Sequence, residues 1–439
     1  MLSAFRSLSV MSLLVLAEAF VFAADPVANK EDYSAFSPAK ECRPRDGWPH
    51  FFKKAQTPGT KVKVGYLGGS ITAQQGWRPK SLALLKERFP NAQWSEINAA
   101  IGGTGSDLGV ARLKQDVLDQ QPDLLLVEFA VNDGGSPPEQ IKRCMEGIVR
   151  QTWAAYPECD IGFVYTLTEA LAPAMVEGHF QRSASAMEEV ADHYGVPTIH
   201  MAMEVAKLAK EGRLVWRAPL PKSEDEKKAL GDKFVFAPDS VHPHVETGHE
   251  LYKEAVARGL DEIMKVTKAP SGPHTLKQPL MNDHYAAAKM LALKPTMLKG
   301  FEPLDMKTHE LGKRFANRMS QLFFANQPGS TLQFKFKGTR CALYQVIGPD
   351  VGKVTVSLDG KETSRTAFDS YCTYHRLSTM MIGDLLTDEI HNVKITLDAE
   401  APDKAKILSA RNETIKDPTK FAVNGLYAGA LLLVGEIVE

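Results

Sequence analysis

The 439-residue sequence predicts a three-layer, doubly wound α/β domain with a parallel sheet, followed by an antiparallel β-sandwich. Between residues 61 and 266, short apolar runs alternate with segments of helical periodicity, as in parallel sheets covered by helices on both faces. Residues 123–129 are nearly all apolar, which is typical of a strand buried on both sides. After about residue 311, short alternating strands and turn signals predominate, and these favour a sandwich.

The α/β segment divides into predicted strands and helices that alternate along the chain. The predicted strands are 62–67, 94–98, 123–129, 161–166 and 196–200. The predicted helices are 80–89, 108–118, 138–155, 176–194, 202–210 and 246–266. Residues 213–233 are mixed and charged, and we expect a solvated insertion there. Ligands of such sheets bind at the carboxyl ends of the strands, so loops that follow strands are the places to look for a site.

Shifts in composition mark the remaining boundaries. Residues 25–60 are polar and contain prolines, which predicts an irregular lead-in. Residues 267–303 are rich in proline and are predicted to form a connector with one short helical patch at 286–293. Residues 304–439 then make up the predicted sandwich domain. Its clearest predicted strands are 331–336, 353–358, 391–397 and 427–438.

Residues 1–24 are predicted to be a cleaved signal peptide. Arg6 precedes an apolar run from residue 8 to residue 22, and a small residue, Ala23, stands at a suitable cleavage point. A short membrane anchor is the alternative. It is disfavoured because the run is shorter than the ~20 apolar residues of a span and contains Glu18. We therefore expect a secreted or periplasmic protein with no stable membrane insertion.

Charge and cysteine usage narrow the function classes. Lys and Arg total 52 against 53 Asp and Glu, so no global attraction to nucleic acid or to an anionic membrane follows. Cys144 with Cys159, and Cys341 with Cys372, are close enough in sequence to pair after export, while an odd count of five leaves at least one thiol free. No CxxC spacing occurs, and we predict neither a metal nor a cofactor.

The stretch from residue 61 to residue 76 resembles a device for presenting a nucleophile. It predicts a buried strand that enters a glycine-tight turn with Ser70 at its tip, before a helical pattern from about Trp77. Such a turn projects the serine Oγ from the carboxyl end of the sheet, near backbone N–H groups that can face an oxyanion. Gly-Gly-Ser alone is also an ordinary loop, so the turn needs partners elsewhere in the chain.

Three further blocks follow in order: residues 98–105, residues 131–133 and residues 239–242. Together with the Ser70 turn, each stands after a predicted strand or in the final loop. In that order the four blocks resemble the SGNH hydrolases, also called the GDSL esterase/lipase superfamily, over residues 61–266. One departure is that Gly69 stands where the family signature has an aspartate before the serine.

The resemblance implies a catalytic triad of Ser70, His242 and Asp239. His242, with an unperturbed pKa of ~6.5, would act as the base for Ser70, and Asp239 would fix the imidazole tautomer. The implied oxyanion hole consists of the backbone N–H groups of Ser70 and Gly103 and the side-chain amide of Asn132. Gly102 adjoins Gly103, so the donor assignment could be off by one residue.

Each residue of these blocks also has a plainer interpretation. Asn132 alone is typical of a turn, and Asp239 alone could be a helix N-cap. His242 with His244 and His249 could suggest a metal site, but no acidic partner stands at a familiar zinc spacing, and we disfavour it.

The sequence leaves the roles of several other residues of the α/β segment open. Asp133 is expected to be a hydrogen-bond partner or turn former rather than a catalyst. Glu128 lies on a core strand and must find a partner or stay neutral; the sequence assigns it no role. Trp77, Arg78 and Arg112 could line the pocket or lie on helix surfaces.

The favoured function is an exported serine esterase that forms an acyl-enzyme on O-acyl, and foremost O-acetyl, esters of carbohydrate. The carbohydrate part rests on resemblance to exported SGNH enzymes that are joined to a β-sandwich and deacetylate xylan or pectin. The expected partners are acylated small molecules or polysaccharides, and nothing indicates an oligomeric state. The alternatives are a lipase or lysophospholipase of the same mechanism and a non-enzymatic carbohydrate-binding surface protein.

The sandwich domain has two possible roles. Residues 348–350 and 358–361, with Tyr371 and Tyr374, could form a sugar-binding face. Alternatively the domain only buttresses the catalytic domain, and this is the role that we favour.

Overall fold

The computed structural model describes residues 32–438. The predicted signal peptide, residues 1–24, lies outside the described residues. Within the described range, no helix combines the length and the apolar character needed to cross a membrane.

The first domain is built on a six-stranded sheet in the order β1-β6-β5-β4-β2-β3. Its strands are β1 (Cys42–Arg43), β2 (Lys61–Gly68), β3 (Gln93–Ala100), β4 (Leu124–Glu128), β5 (Asp160–Tyr165) and β6 (Thr198–His200). Strands β2 to β6 are parallel, and β1 joins the edge antiparallel to β6. A separate parallel pair consists of β7 (Leu214–Arg217) and β8 (Phe234–Ala237). The predicted doubly wound α/β class is confirmed.

Helices connect the strands of this domain. They are α1 (Pro49–Gln56), α2 (Ser70–Ala73), α3 (Trp77–Arg88), α4 (Ser106–Asp116), α5 (Pro138–Ala155), α6 (Ala172–Val176), α7 (Arg182–Tyr194), α8 (Met203–Lys210), α9 (Glu224–Leu230) and α10 (Gly248–Val266). The long helices α5 and α10 each bury one apolar stripe, as expected when a helix covers a sheet.

The strand register places the ends of three neighbouring strands side by side. Gly68, the last residue of β2, pairs with Ala100 of β3 on one side and with Glu128 of β4 on the other. All five residues of β4 are buried, which fixes this central strand between helical layers. The loops after β2, β3 and β4 therefore emerge together at one edge of the sheet.

Several sequence predictions for this domain are wrong in detail. The lead-in is not irregular throughout: β1 extends the sheet, and α1 buries Phe51 and Phe52 against it. The predicted helix 176–194 is interrupted, because α6 ends at Val176 and α7 begins only at Arg182. The charged insertion 213–233 is solvated as expected, since none of its residues is buried, but it also contains regular structure: β7, which pairs with β8, and helix α9.

The second domain contains an eight-stranded antiparallel sheet and a three-stranded one. Its elements are β9 (Ala288–Ala292), β10 (Leu298–Lys299), β11 (Glu302–Leu304), α11 (Glu310–Phe315), β12 (Leu322–Ala325), β13 (Thr331–Ile347), β14 (Lys353–Leu358), β15 (Lys361–Thr366), β16 (Arg376–Gly383), β17 (Glu389–Leu397), α12 (Lys404–Ser409), α13 (Pro418–Phe421), β18 (Leu426–Ala428) and β19 (Ala430–Val438). The long strand β13 pairs with β10, β16, β17 and β19 and so organises the larger sheet.

The connector contributes directly to this second domain. The helical patch predicted at 286–293 is wrong, because residues 288–292 form β9, which pairs with β19. Ala, Lys, Met and Leu give the patch a helical composition, but the free edge of β19 imposes strand pairing on it. The boundary drawn at residue 304 therefore cuts off a strand that belongs to the sandwich.

Helix α4 joins the two domains. Leu108 and Ala111 of α4 belong to the apolar core of the sandwich. Arg340 of β13 is 6% exposed, and it donates to Asp384 over 2.7 Å and to the Tyr285 hydroxyl over 3.1 Å. The same guanidinium lies 3.8 Å from the carboxylate of Asp107, the second residue of α4. The sandwich thus packs on the helix that directly follows the loop after β3.

The two cysteine pairings that the sequence left open do not form: all five cysteines are free and buried. Cys144 lies 11 residues before the end of α5, about 16 Å along the helix from the turn that leads to Cys159. Cys341 lies six residues before the end of β13, about 20 Å from the level of the loop that carries Cys372. Burial raises the pKa of each thiol, so the reduced side chains behave as small apolar residues.

Candidate active site

The Ser70 turn depends on two glycines that follow one another. Strand β2 ends at Gly68, and Ser70 is the first residue of α2. A Cβ atom at Gly68 would lie 2.6 Å from the Thr72 hydroxyl oxygen and 2.9 Å from the Glu128 carbonyl oxygen. A Cβ atom at Gly69 would lie 1.9 Å from Oδ1 of Asn132. A larger residue at either position would therefore push the serine turn away from the loop after β4.

Ser70, His242 and Asp239 form a continuous hydrogen-bond chain. The Ser70 Oγ lies 2.8 Å from Nε2 of His242, and Nδ1 of His242 lies 2.7 Å from Oδ2 of Asp239. The other carboxylate oxygen, Oδ1 of Asp239, accepts from the backbone N–H groups of Val241 and His242. Ser240, between Asp239 and Val241, has φ +67°, an uncommon conformation for a residue other than glycine, and strain of this kind concentrates at functional loops.

The electrostatics of this chain fix the imidazole tautomer. Partial burial raises the pKa of Asp239, but the hydrogen bonds from the His242 ring and from two backbone N–H groups outweigh it, so the pKa lies below 3.8. Asp239 is therefore ionised at neutral pH and accepts the Nδ1–H proton. Nε2 of His242 is left as the acceptor for the Ser70 hydroxyl.

The loops that carry the other predicted oxyanion donors, Gly103 and Asn132, reach the same turn. The Asn132 amide lies against Gly69, as the close approach of its Oδ1 shows. In the loop after β3, a Cβ atom at Gly102 would lie 3.5 Å from the Ser70 Cβ. Gly103 has φ +74°, faces open space and is exposed. Gly102 is thus the residue that touches Ser70, and Gly103 is the one that needs a left-handed conformation.

Glu128 holds the Ser70 turn in place through hydrogen bonds, a role that the sequence did not reveal. Its side chain is fully buried and accepts from the hydroxyls of Thr72, at 2.8 Å, and Thr166, at 2.6 Å. It also accepts the backbone N–H of Gly69. Burial raises the pKa of Glu128, and these three hydrogen bonds offset part of that rise. The available signal was a glutamate ending an otherwise apolar strand, but its partners lie in the turn and helix α2 that follow β2 and at Thr166, directly after β5.

Asp133 connects two of the loops, as the sequence analysis expected of a hydrogen-bond partner. It is 3% exposed, and Oδ1 accepts from the backbone N–H of Ser106 over 3.0 Å. Burial raises the pKa of Asp133 to about 7. Ser106 begins α4, so the bond ties the loop that carries Asn132 to the loop that carries Gly103.

The arginines flagged in the sequence are buried rather than on a helix surface. Arg112 is 1% exposed; it donates to the carbonyl of Ala99 over 2.6 Å and to the carboxylate of Asp116 over 2.9 Å. Arg78 is also 1% exposed and forms an ion pair with Glu96. Both side chains stabilise backbone behind the site and do not line it.

His249 and His244, the histidines near His242 in sequence, each form hydrogen bonds with protein groups. His249 is fully buried; Nδ1 accepts the Trp77 backbone N–H over 3.0 Å, and Nε2 lies 3.1 Å from Oε1 of Gln74. Burial lowers its pKa to about 3, which keeps the ring neutral. His244 bonds the carbonyl of Ala218 at 2.9 Å. Within residues 32–438, no group of three His, Cys, Asp or Glu side chains is arranged to hold a metal ion.

The α/β segment of the chain is similar to known proteins. Residues 66–250 match the GDSL-like Lipase/Acylhydrolase family. Thioesterase 1/protease 1/lysophospholipase L1 of Escherichia coli strain K12 is 29% identical over 149 residues, which are 33% of this chain and 65% of that protein. The chain thus spans 65% of the length of this curated relative.

One solved structure resembles this fold over more of the chain than the curated relative does. A two-domain esterase active on acetylated mannans superposes with a TM-score of 0.67 and 20% identity, over 90% of this chain and 97% of that chain. A catalytic mutant of an acetylxylan esterase from Geobacillus stearothermophilus gives a TM-score of 0.36 and 17% identity, over 46% of this chain and 95% of that one. The first likeness extends to both domains of the fold. Residues 66–250, in which four strand-end loops meet around Ser70, therefore form a domain of the GDSL-like lipase/acylhydrolase family, and the chain joins it to a β-sandwich.

Proposed function

We propose that the protein is an exported serine esterase that removes O-acyl groups, foremost O-acetyl groups, from carbohydrate. The observation that carries the esterase part is the hydrogen-bond chain from Asp239 through His242 to Ser70. A serine hydroxyl is a weak nucleophile at neutral pH, and a neutral imidazole within hydrogen-bond distance is the group that activates it. The export part rests on residues 1–24 acting as a cleaved signal peptide, and N-terminal sequencing of the mature protein would test it.

The reaction proceeds through an acyl-enzyme. His242 Nε2 takes the Ser70 proton as Oγ bonds to the ester carbonyl carbon, and the carbonyl oxygen becomes an oxyanion. The N–H groups of Ser70 and Gly103 and the Asn132 amide stabilise that charge. The intermediate collapses by breaking the bond to the sugar oxygen, which receives the proton from His242. Water, deprotonated by His242, then attacks the acyl-serine and releases the carboxylic acid and Ser70.

The carbohydrate part of the proposal is supported by the two-domain arrangement. A protein whose fold matches over 90% of this chain is described as an esterase active on acetylated mannans. A lipid-directed esterase is the second candidate, because the Escherichia coli relative is named a lysophospholipase as well as a thioesterase. The third alternative, a carbohydrate-binding protein without activity, does not explain why Ser70, His242 and Asp239 keep hydrogen-bonding distances.

Acetate release is the experiment that tests the proposal. Purified protein and Ser70→Ala are incubated with acetylated mannan and acetylated xylan, and with a long-chain lysophospholipid. We expect wild type to release acetate from at least one polysaccharide, and Ser70→Ala to lose at least 1,000-fold in kcat, as serine hydrolases do on losing the nucleophile (about 10⁶-fold). Ser320→Ala, an exposed serine of the sandwich, is the matched control and should retain full activity.

Two outcomes would contradict the proposal. Equal acetate release by wild type and Ser70→Ala would remove Ser70 as the nucleophile. Hydrolysis of the lysophospholipid alone would leave the mechanism standing and replace the carbohydrate substrate with a lipid.

A further inference from the structure

A cavity of about 470 Å³ opens at the carboxyl edge of the parallel sheet. It lies between the loop that follows β4 and the segment that follows β5. Its lining includes Tyr33, Phe36, Gly134, Leu171, Pro173 and Arg182. This volume falls within the range of small-molecule sites, which is about 300–1,000 Å³.

Both walls of the cavity are continuous with segments of the active site. Gly134 lies two residues after Asn132, a separation that spans at most ~7 Å. On the other wall, Leu171 ends a short 3₁₀ helix whose first residue, Glu169, donates its N–H to the carbonyl of Ser240 over 3.2 Å. Ser240 lies inside the loop that carries Asp239 and His242. The walls of the cavity are therefore joined through the chain to the oxyanion segment and to the base loop, while Ser70, Asn132, Asp239 and His242 themselves do not line it.

The walls combine aromatic and charged groups. The rings of Tyr33 and Phe36 pack with centroids 5.7 Å apart and an angle of 36° between their planes, and both side chains are partly exposed. Arg182 is exposed and donates Nη2 to the carbonyl of Gly134 over 2.7 Å, which anchors its guanidinium at the rim. Asp32 is exposed on the same cavity and accepts the backbone N–H of Ser34.

This lining suits a saccharide better than a fatty acyl chain. A pyranose ring presents an apolar C–H face, which packs on aromatic rings, and a rim of hydroxyls, which bond carboxylates and guanidinium groups. An alkyl chain would cover Asp32 and Arg182 without providing hydrogen bonds, and burying charges in that way is costly.

We propose that this cavity is a subsite for the carbohydrate part of the substrate, holding a neutral sugar ring adjacent to the one that carries the ester. Tyr33 and Phe36 pack on the sugar face, while Arg182 and Asp32 bond its hydroxyls. The proposal rests on the proposed esterase function and gives the substrate its orientation over Ser70. It also places saccharide recognition in the α/β domain and not on the exposed tyrosines of the sandwich.

Binding without turnover tests the subsite separately from the esterase. Unacetylated mannopentaose and xylopentaose are titrated calorimetrically into Ser70→Ala and into Ser70→Ala combined with Tyr33→Ala, Phe36→Ala or Arg182→Ala. We expect Ser70→Ala to bind at least one pentasaccharide and each second substitution to weaken binding at least fivefold. Combination with Tyr33→Phe, which keeps the ring, should weaken binding less than combination with Tyr33→Ala. The matched control, Tyr374→Ala, removes a tyrosine of the sandwich that is 50% exposed, and should leave binding unchanged.

Kinetics provide the second readout. For Tyr33→Ala and Arg182→Ala, kcat/KM on an acetylated oligosaccharide should fall at least tenfold more than kcat/KM on 4-nitrophenyl acetate, mainly through KM. Parallel losses on the two substrates would overturn the subsite, as would undiminished pentasaccharide binding by the double variants or a loss confined to Tyr374→Ala. Failure of the proposed function looks different: wild type would then release no acetate from any saccharide, whatever the binding results.

Discussion

Two histidine–aspartate pairs, one in each domain, have the same contact distance and different surroundings. In the α/β domain, His242 Nδ1 lies 2.7 Å from Asp239, and its Nε2 meets the Ser70 hydroxyl. In the sandwich, His391 Nδ1 also lies 2.7 Å from an aspartate, Asp359, but its Nε2 meets the carbonyl of Thr387 at 2.9 Å.

The partner of the second nitrogen determines what each pair can do. A carbonyl only accepts, so the His391 ring donates from both nitrogens, as imidazolium does. Burial lowers the pKa of His391, but the hydrogen bonds to Asp359 and Thr387 outweigh it and hold the pKa above 6.5. A hydroxyl can donate, so Nε2 of His242 can accept the proton of Ser70. An aspartate at Nδ1 therefore does not by itself identify a catalytic histidine; the partner of Nε2 must also be known.

A second pair in the sandwich supports the buttress role of that domain. Asp350 accepts from His375 Nε2 at 2.8 Å and from the Tyr427 hydroxyl at 2.6 Å. Both acidic residues considered for a sugar-binding face, Asp350 and Asp359, are thus hydrogen-bonded within the domain. The exposed Tyr371 has the Arg411 guanidinium 3.5 Å from its ring centroid, which occupies one face of the ring.

The largest expected effect separates the two histidines. His242→Ala should reduce kcat on 4-nitrophenyl acetate by about 10⁴-fold or more, because it removes the proton acceptor of the nucleophile. His391→Gln should leave kcat within twofold. Equal losses in the two variants would show that the sandwich pair takes part in catalysis and would end the distinction drawn above.

Asn132→Ala should have the second-largest effect on kcat. Loss of one oxyanion donor typically costs about 10²–10³ in kcat, or ~2.7–4 kcal/mol of transition-state stabilisation. We expect a fall of this size with KM nearly unchanged, since the amide acts on charge that develops in the transition state. Asn91→Ala, at an exposed position, is the control. A change in KM alone would assign Asn132 to substrate binding instead.

Glu128 should affect the rate through the position of Ser70. Glu128→Gln weakens the acceptance of hydrogen bonds from Gly69 and Thr72, and a displaced nucleophile can cost on the order of 10–100-fold in kcat. Glu146→Gln is a matched control, because Glu146 is also fully buried and accepts from Tyr194 at 2.6 Å. Both variants should lower the free energy of unfolding in urea, by about 1–3 kcal/mol. Only Glu128→Gln should lower kcat, and equal kcat values in the two would refute the positioning role.

The smallest effect is the pH dependence of stability that His391 contributes. Its folded pKa lies above 6.5, so its contribution is fully present below pH 6.5 and is lost as pH rises through the folded pKa. For Asp359, partial burial raises the pKa, but the bonds from His391 and Asn392 bring it below 3.8, so its contribution is present above pH 3.8. His391→Gln should therefore destabilise most between those values, by at most about 1 kcal/mol. If the difference in the free energy of unfolding between His391→Gln and wild type grew above pH 8, the pH dependence would have the opposite sign to the one predicted.

The sequence pattern could predict those site residues that directly follow a strand. Ser70, Gly103 and Asn132 follow three adjacent strands, and parallel register alone brings such loops together. Glu128 could not be assigned from sequence, because its donors come from the turn and helix after β2 and from the residue after β5, which only packing brings together. Residues 288–292 were misjudged for a related reason: their composition is helical, and a partner strand more than 130 residues away determines their conformation.

Labelling with a fluorophosphonate, followed by peptide mass mapping, tests the central claim most directly. Such a probe forms a stable bond only with a serine that a neighbouring base activates. We predict one adduct per chain, on the peptide that contains Ser70, with labelling abolished by His242→Ala and retained by His391→Gln. An adduct on another residue, or equal labelling of the His242→Ala protein, would contradict the account.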